Sequence, residues 1–147
     1  MESRRIDRAA AVQLTPVLFD RAGSTQKVVD AIADAGRQGI QLLVFPETFI
    51  PNYPYFASWQ APATIAEQHL RLFEQSVEIP GPVTQAVGVA AAVAGIVVVL
   101  GVNERDGGSL YNTQVVFDAD GTLLAKRRKL MLPTKSGSFG AGEMART

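Results

Sequence analysis

Residues 42–56, LLVFPETFIPNYPYF, decide how the rest of the chain is read. Leu42, Leu43, Val44 and Phe45 form an apolar run of strand length, broken at once by Pro46. Proline lacks a backbone donor and fixes φ, so it ends the strand and sets the turn. A carboxylate follows immediately at Glu47, then a loop rich in aromatic residues and proline. This arrangement anchors the backbone in the sheet and presents Glu47 at a strand end, where other strand ends converge. Two readings are open for Glu47. It is a solvated loop carboxylate, or its apolar flanks bury it in part, and it then needs a partner or a raised pKa.

Working outward, Arg8–Leu14 reads as a short first strand ended by Thr15-Pro16. Asp20 or Ser24 caps a helix reaching about Arg37, with Val28, Ile32 and Ala35 on one face and Gly36 and Gly39 at its end. With the strand Gln41–Phe45 this makes a β-α-β unit, hence parallel strands. Downstream, Ala63–Val77 reads as a second helix bearing Ile65, Leu72, Phe73 and Val77 on one side. Pro82 opens a third, closed by Gly95. Ile96–Leu100 is a continuous β-branched run, as expected of a strand covered on both faces. Val97–Glu104, Leu110–Asp118 and Thr122–Arg128 then follow as three strands. Asp106-Gly107-Gly108 and Asp118-Ala119-Asp120-Gly121 supply their turns. The expectation is a single α/β domain over residues 1–147, with a mixed sheet flanked by helices.

Four consecutive bases, Lys126-Arg127-Arg128-Lys129, close the last strand. Alternation sends Lys126 and Arg128 to one face and Arg127 and Lys129 to the other. One face looks toward the sheet that carries Glu47. An ammonium there could stabilise an oxyanion while the carboxylate moves protons. A merely charged edge strand is the plainer reading of the run, and spacing does not choose among the four.

Composition removes several classes of function. Fourteen basic residues balance fourteen acidic ones, which gives no electrostatic case for nucleic acid or an anionic membrane. No apolar run is long enough to span a bilayer. The N-terminal MESRRIDRAA lacks a following apolar segment, so no secretory signal is expected and the cytoplasm is the default. There is no cysteine, which excludes disulfides, thiolate metal sites and a cysteine nucleophile within these residues. The one histidine, His69, lacks a second ligand at metal spacing, and no serine sits in a nucleophile-elbow sequence. No metal or organic cofactor is expected.

Three stretches carry a resemblance: FPETFIPNYPYF at 45–56, EQHLRLFEQSVEIPGPVTQAV at 67–87, and VVVLGVNERDGGSLYNTQVVFDADGTLLAKRRK at 97–129. Together they resemble the N-terminal half of the nitrilase family of carbon-nitrogen hydrolases, whose catalytic set is Glu-Lys-Cys. The Tyr53-Pro54-Tyr55-Phe56 extension resembles the nitrilase branch more than the amidase or carbamoylase branches. The resemblance implies half of an α-β-β-α sandwich, a homo-oligomer, and a small-molecule nitrile as substrate. It implies that Glu47 is the general base, that Lys129 stabilises the tetrahedral intermediate, and that Tyr53, Tyr55 and Phe56 contact substrate.

The likeness fades after Lys129. Residues 131–147 read as a divergent tail, and Glu143 does not match the family's second glutamate. The expectation is a chain truncated before the cysteine and inactive alone, with an inactive remnant acting at most as a subunit-pairing module as the alternative. Val97, Val99, Val115 and Phe117 are expected on a sheet face that the missing half would cover.

Overall fold

The computed structural model describes residues 5–59, 61 and 64–130, with backbone only at 58 and 59. The expected tail at 131–147 and the expected helix start at Ala63 lie outside the described residues. Among the described residues five strands form one sheet in sequence order: β1 (Ala9–Ala11), β2 (Leu42–Val44), β3 (Val97–Asp106), β4 (Ser109–Phe117) and β5 (Leu123–Arg128). β1, β2 and β3 run parallel, whereas β3, β4 and β5 are antiparallel neighbours. The change follows from the connections. The parallel strands are linked through helices, and the last three through turns at Gly107 (φ 57°) and Gly121 (φ 87°).

The described residues also form four helices: α1 (Arg21–Arg37), α2 (Phe56–Trp59), α3 (Ala66–Gln75) and α4 (Pro82–Ala94). Asp20 caps α1, accepting the Gly23 N–H at 2.8 Å, while Ser24 is buried inside the helix. Pro82 opens α4 and left-handed Gly95 (φ 67°) closes it, as the sequence suggests. α3 stops short of Val77, because Ser76 turns extended and Val77 bridges to Glu104 beside β3. The first strand is likewise shorter than Arg8–Leu14.

The register aligns Ala10, Leu43, Val98 and Phe117 across the sheet. That face, with Leu100, Val102 and Val115, packs on Val28, Ile32 and Ala35 of α1 and on Val83, Val87 and Ala91 of α4. Here the structure corrects the expected uncovered face. Val115 pairs with Leu100 and Phe117 with Val98, so both lie buried under the helices. Val97 and Val99 point the other way, half-buried beside Val116, the partner of Val99. Alternation within each strand was read correctly; the relative phase of the two strands depends on hairpin register, which single-strand patterns do not carry. Among the described residues no helix is long and apolar enough to cross a membrane.

Candidate active site

β2 delivers Glu47, and β3 fixes the loop beyond it. The Phe45 N–H donates to the Val99 carbonyl at 2.8 Å, the last ladder bond before Pro46. Four residues after Pro46 the chain returns to β3. The Asn103 N–H donates to the Ile50 carbonyl at 2.8 Å, and Asn103 Nδ2 donates to the Asn52 carbonyl at 2.7 Å. Phe49 and Ile50 are buried in the core. Between these anchors Glu47 is carried over Gly101. A side chain on Gly101 would collide with the Pro46 carbonyl, come within 2.6 Å of the Thr48 nitrogen and lie 2.9 Å from Glu47 Cα. Only glycine lets the two backbones approach so closely. Thr48 itself has φ 44°, and its buried Oγ1 has no hydrogen-bond partner among the described residues. A β-branched residue in the left-handed region is strained by about 1–3 kcal/mol, and the bonded flanks hold it there.

β5 brings the second group. Thr113 pairs with Arg128 and Val115 with Lys126, so both cations share the helix-covered face. They converge on Glu104, whose side chain is 1% exposed. Lys126 Nζ and Arg128 Nη2 donate to Oε1 at 2.7 Å, Arg128 Nε donates to Oε2 at 3.0 Å, and Thr113 Oγ1 donates to Oε2 at 2.7 Å. Burial opposes the charge on Glu104, but donation from Arg128, Lys126 and Thr113 outweighs it, lowering the pKa to about 2. The Arg128 guanidinium also lies 3.7 Å from the centre of the Tyr111 ring.

Lys129, next along, turns to the opposite face and meets Glu47, with Nζ donating to Oε1 at 2.5 Å. Asn112 Nδ2 donates to the same oxygen at 2.5 Å. Side-chain exposure is 45% for Glu47 and 37% for Lys129, so the pair is open to solvent. Burial again works against the carboxylate charge, and donation from Lys129 and Asn112, with the Lys129 charge, holds the Glu47 pKa below its ordinary value. The pair sits in a cavity of about 450 Å³ walled by Phe45, Pro46, Gly101, Asn112, Gln114 and Arg127, among others.

The other expected site residues are placed elsewhere. Tyr53 and Tyr55 pack against each other with centroids 4.6 Å apart and rings tilted by 45°, and Phe56 packs against Phe19 and His69. None of Tyr53, Tyr55 and Phe56 lines the cavity at Glu47. Three residues not singled out in the sequence shape the site: Gly101, Glu104 and Asn112. The available signal was polar residues inside strands facing a basic one, but it needed the register to become useful. Among the described residues no cluster of His, Asp or Glu could hold a metal ion.

Residues 8–144 match the family model described as carbon-nitrogen hydrolase. The chain belongs to the carbon-nitrogen hydrolase family. It is similar to a nitrilase from Paraburkholderia phymatum, 55% identical over 131 residues, covering 88% of this chain and 38% of that protein. It is also similar to Nitrilase 3 of an unknown prokaryotic organism, 52% identical over 128 residues (86% and 39% covered). An aliphatic nitrilase from Rhodococcus rhodochrous is 49% identical over 124 residues, with 84% and 34% covered. The chain thus spans about two fifths of the length of the first two of these relatives and about a third of the last. Among solved structures, an amidase from Nesterenkonia sp. aligns with TM-score 0.65 and 25% identity, over 96% of this chain and half of that one. A carbon-nitrogen hydrolase from Helicobacter pylori G27 aligns at TM-score 0.62 and 20% identity, covering 92% and 44%, a likeness of fold alone. The mixed sheet and its helices are therefore those of the nitrilase superfamily.

Proposed function

We propose that this chain supplies the base and the cation of a nitrile hydrolase. The observation that carries the reading is the Glu47–Lys129 contact at 2.5 Å inside an open cavity, in a chain about half identical to several nitrilases. Glu47 is charged at neutral pH and serves as the general base toward a cysteine thiol lying outside these 147 cysteine-free residues. The thiolate adds to the nitrile carbon, giving a thioimidate. Water then adds twice, with loss of ammonia and then release of the carboxylic acid and the thiol. Lys129 stabilises the negative charge of the tetrahedral intermediate. Tyr53, Tyr55 and Phe56 enter only as substrate contacts at the outer end of the same loop, a role supported by the exposed Tyr55 ring.

The absence of cysteine also favours a second reading, in which the chain as it stands is inactive and pairs with complete subunits. Ammonia release from aliphatic and aromatic nitriles distinguishes the two. The complete hydrolase bearing this half is expected to turn over, its Glu47→Gln variant to fall by about 10²–10⁴-fold, and the 147-residue chain to release no ammonia. A complete enzyme that cleaves only amides would overturn the nitrile assignment. Activity unaffected by Glu47→Gln would overturn the site.

A further inference from the structure

Asn112 makes two contacts that no motif assigned to it. Its carboxamide nitrogen donates to Glu47 Oε1 at 2.5 Å. Its backbone carbonyl accepts the Lys129 N–H at 2.8 Å, one residue beyond the end of β5. Lys129 Nζ donates to the same Glu47 oxygen at 2.5 Å. The three groups therefore close a ring: strand β4 holds the backbone of the cation with one end of Asn112 and the carboxylate with the other. Both side-chain donors land on Oε1, and Oε2 receives no hydrogen bond from the described residues. The two carboxylate oxygens are thus unequal.

We propose that Asn112 is a positioning residue for the Glu47–Lys129 pair, fixing Oε1 so that Oε2 is the oxygen that takes the thiol proton. The inference rests on the reading of Glu47 as the base. In the step, the sulfur–hydrogen bond breaks, the proton forms a bond to Oε2, and the electron pair stays on sulfur. An amide suits the task because it donates without adding a second charge: an aspartate here would repel Glu47, and a lysine would compete with Lys129. Among the described residues the charged side chains on the cavity wall are Glu47, Arg127, Arg128 and Lys129, and Arg128 is bound to Glu104 on the other face. β3 and β4 add no charge to that wall.

The test is the titration of Glu47, followed by carbon-13 NMR of its labelled side-chain carboxyl, in the wild-type chain and in Asn112→Ala, Asn112→Asp and Gln114→Ala. Gln114 lines the same cavity. The midpoint is expected to rise in Asn112→Ala, to rise further in Asn112→Asp, and to stay in place in Gln114→Ala. In the complete hydrolase, the acidic limb of kcat/KM should move up in the same order, with KM changed less than kcat. An unmoved midpoint in folded Asn112→Ala and Asn112→Asp would overturn the inference. Loss of cooperative unfolding in both would overturn it too, because Asn112 would then be a strand-forming residue. A midpoint that moves while the complete protein hydrolyses no nitrile would uphold the inference and sink the proposed function.

Discussion

Two glutamates bind cations from the same six-residue strand and its next neighbour, on opposite faces of one sheet. Glu104 is enclosed, and both its oxygens are filled by Lys126, Arg128 and Thr113. Glu47 is nearly half exposed, and the described residues bond only its Oε1. The first arrangement leaves nothing for a substrate to do. In the second, the described residues leave a charged oxygen unbonded beside a cavity. A carboxylate with every lone pair engaged stabilises the fold, and one left partly engaged is available for chemistry.

Removing the enclosed carboxylate should have the largest effect. Glu104→Ala strands two cations at a closed site, a loss of about 3–5 kcal/mol for a fully buried pair. Lys126 and Arg128 are each about a third exposed, so about 2–4 kcal/mol is expected, read from the urea midpoint. The same group sets an acid limb. Its folded pKa is depressed from 4.5 to about 2, so its stabilisation is present above pH 4.5 and lost as pH falls toward 2. That contribution is on the order of 3 kcal/mol. Thermal melts between pH 6 and pH 2 should show this loss, and Glu104→Gln should flatten it.

Gly101→Ala comes next, with a cost of about 1–3 kcal/mol from a methyl forced against the backbone under Glu47. Urea unfolding should show it, and the Glu47 carboxyl resonance should shift as its contact with Lys129 loosens. The smallest change in stability belongs to Glu47→Gln. An ion pair this exposed contributes about 0–1 kcal/mol, so the melting temperature should hardly move. A drop as large as that for Glu104→Ala would erase the contrast between the two carboxylates.

Much of this was legible before any coordinates. The Leu42–Phe45 run with its proline stop, the capped α1, the Pro82-to-Gly95 helix and the glycine turns are local signals, and each appears in the structure. The meeting of Glu47 and Lys129 is a long-range fact, separated by 82 residues, and was reached through resemblance rather than spacing. What the sequence withheld was phase. Which of the four bases faces which carboxylate follows from the pairing of Thr113 with Arg128, and the burial of Val115 and Phe117 from their pairing with Leu100 and Val98. Pairing register is a property of two strands together. Asn112 and Glu104 were hidden for the same reason, since each acts only across a strand partner.

The alternating bases of β5 carry a consequence for how this sequence can vary. Lys126 and Arg128 serve Glu104, while Lys129 serves Glu47. Point changes would disturb one carboxylate at a time. With the start of the strand held in register, insertion of a single residue ahead of Lys126 would put Arg128 where Lys129 now meets Glu47, and deletion of one would put Leu130 there. Related sequences should therefore tolerate different residues between Leu123 and Lys129 far more readily than a different number of them.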